Sequence, residues 1–174
     1  YEIVTRVARQ ARNLIPYDRL VVVVFDQLNS TAHDWLIAGH DTDDDAVAPM
    51  HKLTTEQIKE YLTLNEPFIV RSANSHSLLS SMESNVTRFE EGYRSLLCVP
   101  LIWNNEILGV INIRSKSATA YDDESLRIAI QIGSVVATVL GRVKLQSSQA
   151  QAEQRRNALT AISKIAANAS NIDS

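Results

Sequence analysis

Two apolar segments, "RSLLCVPLIW" (residues 94–103) and "EILGVINIRS" (Glu106–Ser115), separated only by Asn104 and Asn105, constrain this chain more than any other feature. A two-residue asparagine link tolerates the positive φ that a tight hairpin turn demands, so the segments read as adjacent antiparallel strands. Pro100 has no N–H to give a neighbouring strand, which points to an edge, a bulge or a bend at that position. Gly109, inside the second strand, permits close approach of a neighbouring backbone or side chain.

Other elements follow from periodicity. Residues 1–14 place Ile3, Val4, Val7, Ala11 and Leu14 at three- and four-residue spacings, one face of an amphipathic helix that Pro16 would end. "RLVVVVFD", Arg19–Asp26, is a continuous β-branched run of the kind found in a strand covered on both faces. "HDWLIAGH", residues 33–40, predicts a second strand, and the acidic "DTDDD" after it an exposed loop. Thr54 or Thr55 can cap a short helix carrying Ile58, Tyr61, Leu62 and Leu64. "PFIVRS", residues 67–72, reads as another strand, and residues 73–92 as loop and short helices. From Asp122 onward Leu126, Ile130, Val136, Leu140 and Val143 recur at helical spacing with no proline to stop them. Asp122, Asp123 and Glu124 put negative charge where the helix dipole favours it.

Bulk composition narrows the class. With 174 residues and 45% hydrophobic content, the expectation is one globular unit plus an appendage. A net charge of −3 leaves no electrostatic footprint for nucleic acid. One cysteine, Cys98, rules out an intramolecular disulfide framework and suits the reducing cytoplasm. No uninterrupted apolar run approaches the roughly 18 residues of a membrane span, so direct membrane contact is not expected. Because the first residue is Tyr1, the chain reads as an excised fragment.

The order of elements is an α+β pattern built on an antiparallel sheet. Within it, "GYRSLLCVPLIWNNEILGVINIRSKSATAYDDESLRIAIQIGSVVATVL" closely resembles the C-terminal half of GAF domains: a strand ending in Val-Pro-Leu, a hairpin, a strand opening with Leu-Gly-Val, and an acidic-capped helix. That resemblance implies a PAS-related central antiparallel sheet of five or six strands. N- and C-terminal helices would lie on one face, with connecting helices and loops and a ligand pocket on the other. It further implies a cytoplasmic sensory or regulatory module, not an enzyme, within a multidomain signal-transduction protein such as a sensor histidine kinase or nucleotide cyclase. A small-molecule ligand would be sensed, and a downstream output domain in the same parent chain would receive the signal. The other reading is a degenerate GAF domain acting as a dimerising spacer that binds nothing.

Candidate ligand-binding residues follow from where the fold's pocket lies: Tyr61, Phe68, Arg71, His76, Phe89, Tyr93, Arg94 and Ser95. Each also has a plain packing or surface reading. Cys98 beside Val99 reads as a small hydrophobe in a sheet, and it lacks the following histidine usual at bilin attachment. A single cysteine also falls short of the several used by free-methionine-sulfoxide reductases of the family. His33, His40, His51 and His76 lack metal-ligand spacing, and no Gly-x-Ser-x-Gly turn or phosphate-cradling glycine loop is present. The Asn-Lys, Phe, Asp-Glu signature of cyclic-nucleotide-binding members is broken: Ile113 follows Asn112 where lysine belongs, Tyr121 stands near the Phe position, and Asp123 with Glu124 reads first as helix-start charge. Nothing in the residues specifies a cofactor.

An internal echo concerns organisation. "VTRVARQARNL", residues 4–14, aligns with "ISKIAANASNI", residues 162–172, pairing Ala8 with Ala166, Ala11 with Ala169 and Asn13 with Asn171. Either a tandem array continues past this chain or two alanine-rich amphipathic helices coincide. The chain therefore divides into a GAF domain at 1–145, a helical connector at 146–157 and a signalling helix at 158–174, where a second module would begin. Leu145, Ala152, Leu159, Ile162, Ala166 and Ala169 follow heptad spacing, interrupted by Ser148 and Arg155. Two readings stand: a homodimer joined in parallel through its terminal helices, or a single solvated helix.

Overall fold

The computed structural model describes residues 2–26, 29–39, 50–52, 54–71 and 88–170. Its elements are α1 (Glu2–Ala11), β1 (Arg19–Asp26), β2 (Thr31–Gly39), β3 (Met50–Lys52), α2 (Thr55–Leu62), β4 (Phe68–Val70), β5 (Ser95–Trp103), β6 (Glu106–Ser115) and α3 (Asp123–Ser170). The strands form one six-stranded sheet in the order β3-β2-β1-β6-β5-β4, with every pairing antiparallel. The acidic stretch at 41–45 and most of the serine-rich segment, residues 73–87, lie outside the described residues.

Local chemistry explains the boundaries. Asn104 and Asn105 take φ of 50° and 62°, the left-handed pair that a two-residue hairpin needs, and Trp103 pairs with Glu106 across them. β4 pairs with Leu96, Leu97 and Cys98 of β5. Pro100 thus sits beyond the reach of β4, one residue before a register shift at Leu101/Ile102. At the start of α2 the Gln57 N–H donates to Thr54 Oγ1 (3.2 Å) while the Thr54 N–H donates to Gln57 Oε1 (2.9 Å), a reciprocal capping box. Asp122 caps α3: the Ser125 N–H and hydroxyl donate to its carboxylate at 2.9 and 2.8 Å. Those bonds, the Ser125 N–H first, hold the Asp122 carboxyl below its ordinary value.

α1 departs from the periodicity reading. It ends at Ala11, and the chain tightens into a turn in which the Asn13 and Leu14 N–H groups donate to Gln10 and Ala11 carbonyls. Pro16 disfavours helical geometry at Ile15, so the coil is released before the proline. Leu14 is consequently 62% exposed, and Ile15, fully buried, takes the inward place.

The sheet is apolar on both faces. One carries Leu20, Val22, Leu97, Val99, Leu101, Ile111 and Ile113, all buried, and receives α3, whose Ala129, Ile132, Val136 and Ala137 are buried. Gly133 brings the helix close: a Cβ there would lie 2.8 Å from Val99 Cγ1. The other face carries a separate cluster formed by Val21, Val23, Ala32, Leu64, Val70, Leu96, Cys98, Ile107 and Val110.

By contact the chain forms two compact units, residues 1–138 and 139–174. α3 belongs to both and runs without a break through all 48 of its residues. By length and composition alone it could cross a membrane, although no uninterrupted apolar run of that length is present. The apolar residues that face the sheet supply much of that hydropathy.

Candidate functional site

Strand register builds a second layer of chemistry on the face opposite α3. Val70, Leu96, Arg114 and Arg19 form one row across β4, β5, β6 and β1; Phe68, Cys98, Asn112 and Val21 form the next. In the outer β1–β2 pair Val23 stands opposite Asp34, just past a bulge at Val22/Val23. Buried charge is the unusual feature: Arg19, Arg114 and Asp34 are 8%, 4% and 9% exposed. Burial pushes the Arg114 guanidinium down to about 10 and lowers Arg19 as well, with Arg88 acting against the charge on both.

Residues 88–93 close over this face through a helix terminus. The Gly92 N–H donates to the Phe89 carbonyl and the Tyr93 N–H to the Arg88 carbonyl, with Gly92 at φ 100°. This is the Schellman arrangement, and it requires the left-handed glycine. It holds Phe89 against the apolar cluster and leaves Tyr93 buried, near enough for its phenol to act on the charges of both Arg19 and Arg114.

The structure brings together only part of the set expected from sequence. Phe68 and Phe89 pack on the same apolar cluster, and Tyr93 is buried beside the arginines. Arg71 is exposed and donates from Nη2 to the Tyr121 carbonyl at 2.8 Å. Arg94 is exposed and donates to the Phe89 and Tyr93 carbonyls at 2.8 and 3.1 Å. Ser95 falls on the α3 side by strand alternation, with its hydroxyl donating to the Ser117 carbonyl at 2.6 Å. Tyr61 lies in α2 with its side chain outside the described set, and His76 lies outside the described residues. Arg19, Arg114 and Asn112 are the additions. Only Asn112 interrupts an apolar strand, in "GVINIRS"; Arg19 opens β1 and Arg114 stands next to the last residue of β6, so each reads as a strand margin. Among the described residues no three of His, Cys, Asp and Glu gather as metal ligands.

Cys98 lies between Phe68 and Asn112 and is 5% exposed. Burial pushes its thiol from 9.0 up to about 12, with the Arg114 charge pulling weakly the other way. At pH 8 the thiolate fraction is then about a thousandfold below that of an ordinary cysteine. A chromogenic disulfide reagent should label the native protein only as fast as it opens, and label one thiol at once in denaturant. Immediate labelling of the native chain would contradict this burial.

A hairpin-bearing antiparallel sheet closed by an acid-capped helix has counterparts among known proteins. The GAF domain family model matches residues 1–140. The chain belongs to the GAF domain family. Its fold is similar to the GAF domain of a two-component sensor histidine kinase from Bacillus halodurans (16% identity over 84% of this chain and 96% of that one, TM-score 0.65). It is also similar to a GAF domain/HD domain protein from Geobacter sulfurreducens (15%, 83% and 93%, TM-score 0.64). A third similar structure is the blue-light absorbing form of the PixJ GAF domain from Thermosynechococcus elongatus (15%, 87% and 90%, TM-score 0.63). At these identities the likeness is one of fold. No curated protein sequence matches the chain.

Within this GAF domain the remnants of a nucleotide signature have structural places. Asp123 and Glu124 are exposed in the first turn of α3, Tyr121 is buried at 1% exposure, and Asn112 occupies the sheet face beside Cys98.

Proposed function

We propose that this GAF domain is the sensory and regulatory part of a multidomain cytoplasmic signalling protein, of the sensor-kinase or cyclase kind. A small molecule bound on the arginine-bearing face of the sheet shifts strand packing, and α3 carries the shift to a downstream output domain. The observation that carries the reading is α3 itself: residues seated against Val99 and Leu101 belong to the same unbroken helix that continues to Ser170. A continuous helix is stiff, so displacement at one end is felt at the other. In this reading residues 1–145 are the sensor, 146–157 the connector and 158–174 the signalling helix that opens a second module. Leu145, Leu159 and Ile162, 47%, 65% and 62% exposed, lie along the heptad seam of a parallel homodimer.

A second reading, a GAF domain that binds nothing and serves as a dimerising spacer, is favoured by Phe68 and Phe89. Both pack directly on the apolar cluster where a ligand would otherwise rest. One experiment separates the two. Thermal unfolding of the chain is followed across nucleotides, tetrapyrroles and small metabolites, because a compound that binds the folded state must raise the midpoint. The sensor reading expects at least one class to do so; a flat panel would transfer the assignment to the spacer. Sedimentation with and without the stabilising compound reads the dimer, and a concentration-independent monomer in both would remove it.

A further inference from the structure

We infer that the outward face of α3 is a contact surface for a second copy of this chain, whose α3 lies against it in the antiparallel sense. The face is a single stripe of exposed residues. From Glu124 to Arg156 it advances by three, four, four, three, four, three, four, four and three residues, a series that is the same from either end and symmetric about residue 140. Steps of three and four keep residues on one side of a helix, here the side away from the buried Ala129, Val136 and Leu140.

Charge follows the same symmetry. At one end Glu124 and Arg127 form an exposed ion pair; at the other Glu153 and Arg156 form another, 3.9 Å apart, with acid and base in the same order along the chain. When a second helix runs the opposite way, Glu124 meets Arg156 of the second copy and Arg127 meets its Glu153, so four charges alternate in sign at each end. A parallel pair in register would set Glu124 on Glu124 and Arg127 on Arg127, like against like. Between the ends Gln131 faces Gln149, two amides able to bond each other. Val135 faces Leu145, apolar side chains left 48% and 47% exposed in the single chain. Nearest the centre Arg142 faces Thr138, whose hydroxyl donates to the Ser134 carbonyl at 2.9 Å and keeps its oxygen lone pairs for a donor. Every contact occurs twice, as two-fold symmetry requires of a self-complementary patch. Exposed ion pairs contribute about 1 kcal/mol or less each, so the charges choose the orientation and the covered Val135–Leu145 pairs supply attraction. This pairing excludes the parallel seam, because both use Leu145. In the sensor reading above, on which this consequence rests, the antiparallel pair is the unsignalled state that withholds the seam.

Oxidative cross-linking of the whole chain tests the orientation without any ligand. Leu145→Cys and Val135→Cys are prepared separately; Cys98 is buried, and the wild-type chain is the control. Mixed and oxidised with copper phenanthroline, the two variants should form a disulfide-linked dimer at least about tenfold faster than either alone, because in the antiparallel pair each lies about 15 Å along the axis from its own counterpart. Charge reversal gives a second readout at exposed positions. By sedimentation equilibrium Arg156→Glu should weaken the dimer roughly tenfold, and Glu124→Arg combined with Arg156→Glu should restore at least the wild-type affinity. Leu145→Cys linking to itself faster than the mixture, a monomer at every concentration, or a double variant as weak as Arg156→Glu would each overturn the inference. A compound that stabilises the chain should move the linkage from the mixture to Leu145→Cys alone; unmoved linkage would overturn the regulatory consequence. A flat ligand panel would remove the sensor reading and leave the cross-linking result in force.

Discussion

Gly109→Ala is expected to abolish the cooperative folded state, or to cost at least about 4 kcal/mol if a transition survives. Gly109 lies in β6, opposite Val24 of β1 on one side and Leu101 of β5 on the other. A Cβ at this position would fall inside the contact distance of the Val23 carbonyl oxygen and lie 3.0 and 3.1 Å from Val23 C and Val24 Cα. All three are backbone atoms of the paired strand, so no rotamer change relieves them. Relief requires β1 and β6 to separate at the centre of the six-stranded sheet, where the ladder hydrogen bonds have no other partner. Gly133→Ala is the control. Its Cβ would meet a single side-chain atom, Val99 Cγ1 at 2.8 Å, and no backbone of a paired strand, and alanine recovers up to about 1 kcal/mol of helix propensity. Urea unfolding followed by circular dichroism should therefore show a small change for Gly133→Ala and no native baseline for Gly109→Ala. Equal effects would contradict the pairing of Gly109 with Val24 across β1 and β6.

How much of this is legible in the sequence depends on how local the determinant is. The β5–β6 hairpin is readable because Asn104 and Asn105 supply the turn conformation themselves. The start of α3 is readable because Asp122 bonds the Ser125 N–H three residues on, and the start of α2 because Thr54 and Gln57 bond each other. Periodicity carries α1 three residues too far, since it says which face is apolar but not where a proline first perturbs the coil. Sheet order is a different matter. β1 and β6 are neighbours although residues 27–105 lie between them, and no short-range pattern states that pairing. The arginine pair is a product of that pairing, so in the sequence Arg19 and Arg114 each look like the polar margin of a strand. Phe89 and Tyr93 are chosen by position, in the segment that precedes β5, and Phe68 by its place in β4; the structure packs Phe68 and Phe89 on one apolar cluster and buries Tyr93. Ser95 joins them only by proximity in the chain, whereas strand alternation sets it on the side of Leu97 and Val99.

Tyr121 yields the other large effect, and its sign depends on the substitution. The residue precedes the Asp122 cap, is 1% exposed, and is among the largest fully buried side chains of the structure. Its carbonyl is held by Arg71, so backbone and ring are fixed together where β6 hands over to α3. Tyr121→Ala should cost about 3–5 kcal/mol, the range for deleting a buried aromatic ring. Its hydroxyl is buried with no hydrogen-bond partner among the described residues, and burial, then the nearby Asp18 charge, raises its pKa against the pull of Arg114. Removing that hydroxyl while keeping the ring should therefore be neutral or stabilise by up to about 1 kcal/mol. Tyr121→Phe and Tyr121→Ala, compared by urea unfolding, thus separate ring from hydroxyl. A Tyr121→Phe variant less stable than wild type by more than about 1 kcal/mol would show that the hydroxyl is bonded in solution. An aromatic at the Phe position of the broken nucleotide signature is accounted for by packing alone, and Tyr121→Phe restores the signature residue without restoring the lysine that Ile113 replaces. Cyclic GMP should accordingly raise the thermal midpoint of neither protein; a rise in the phenylalanine variant would return Tyr121 from the core to the ligand site.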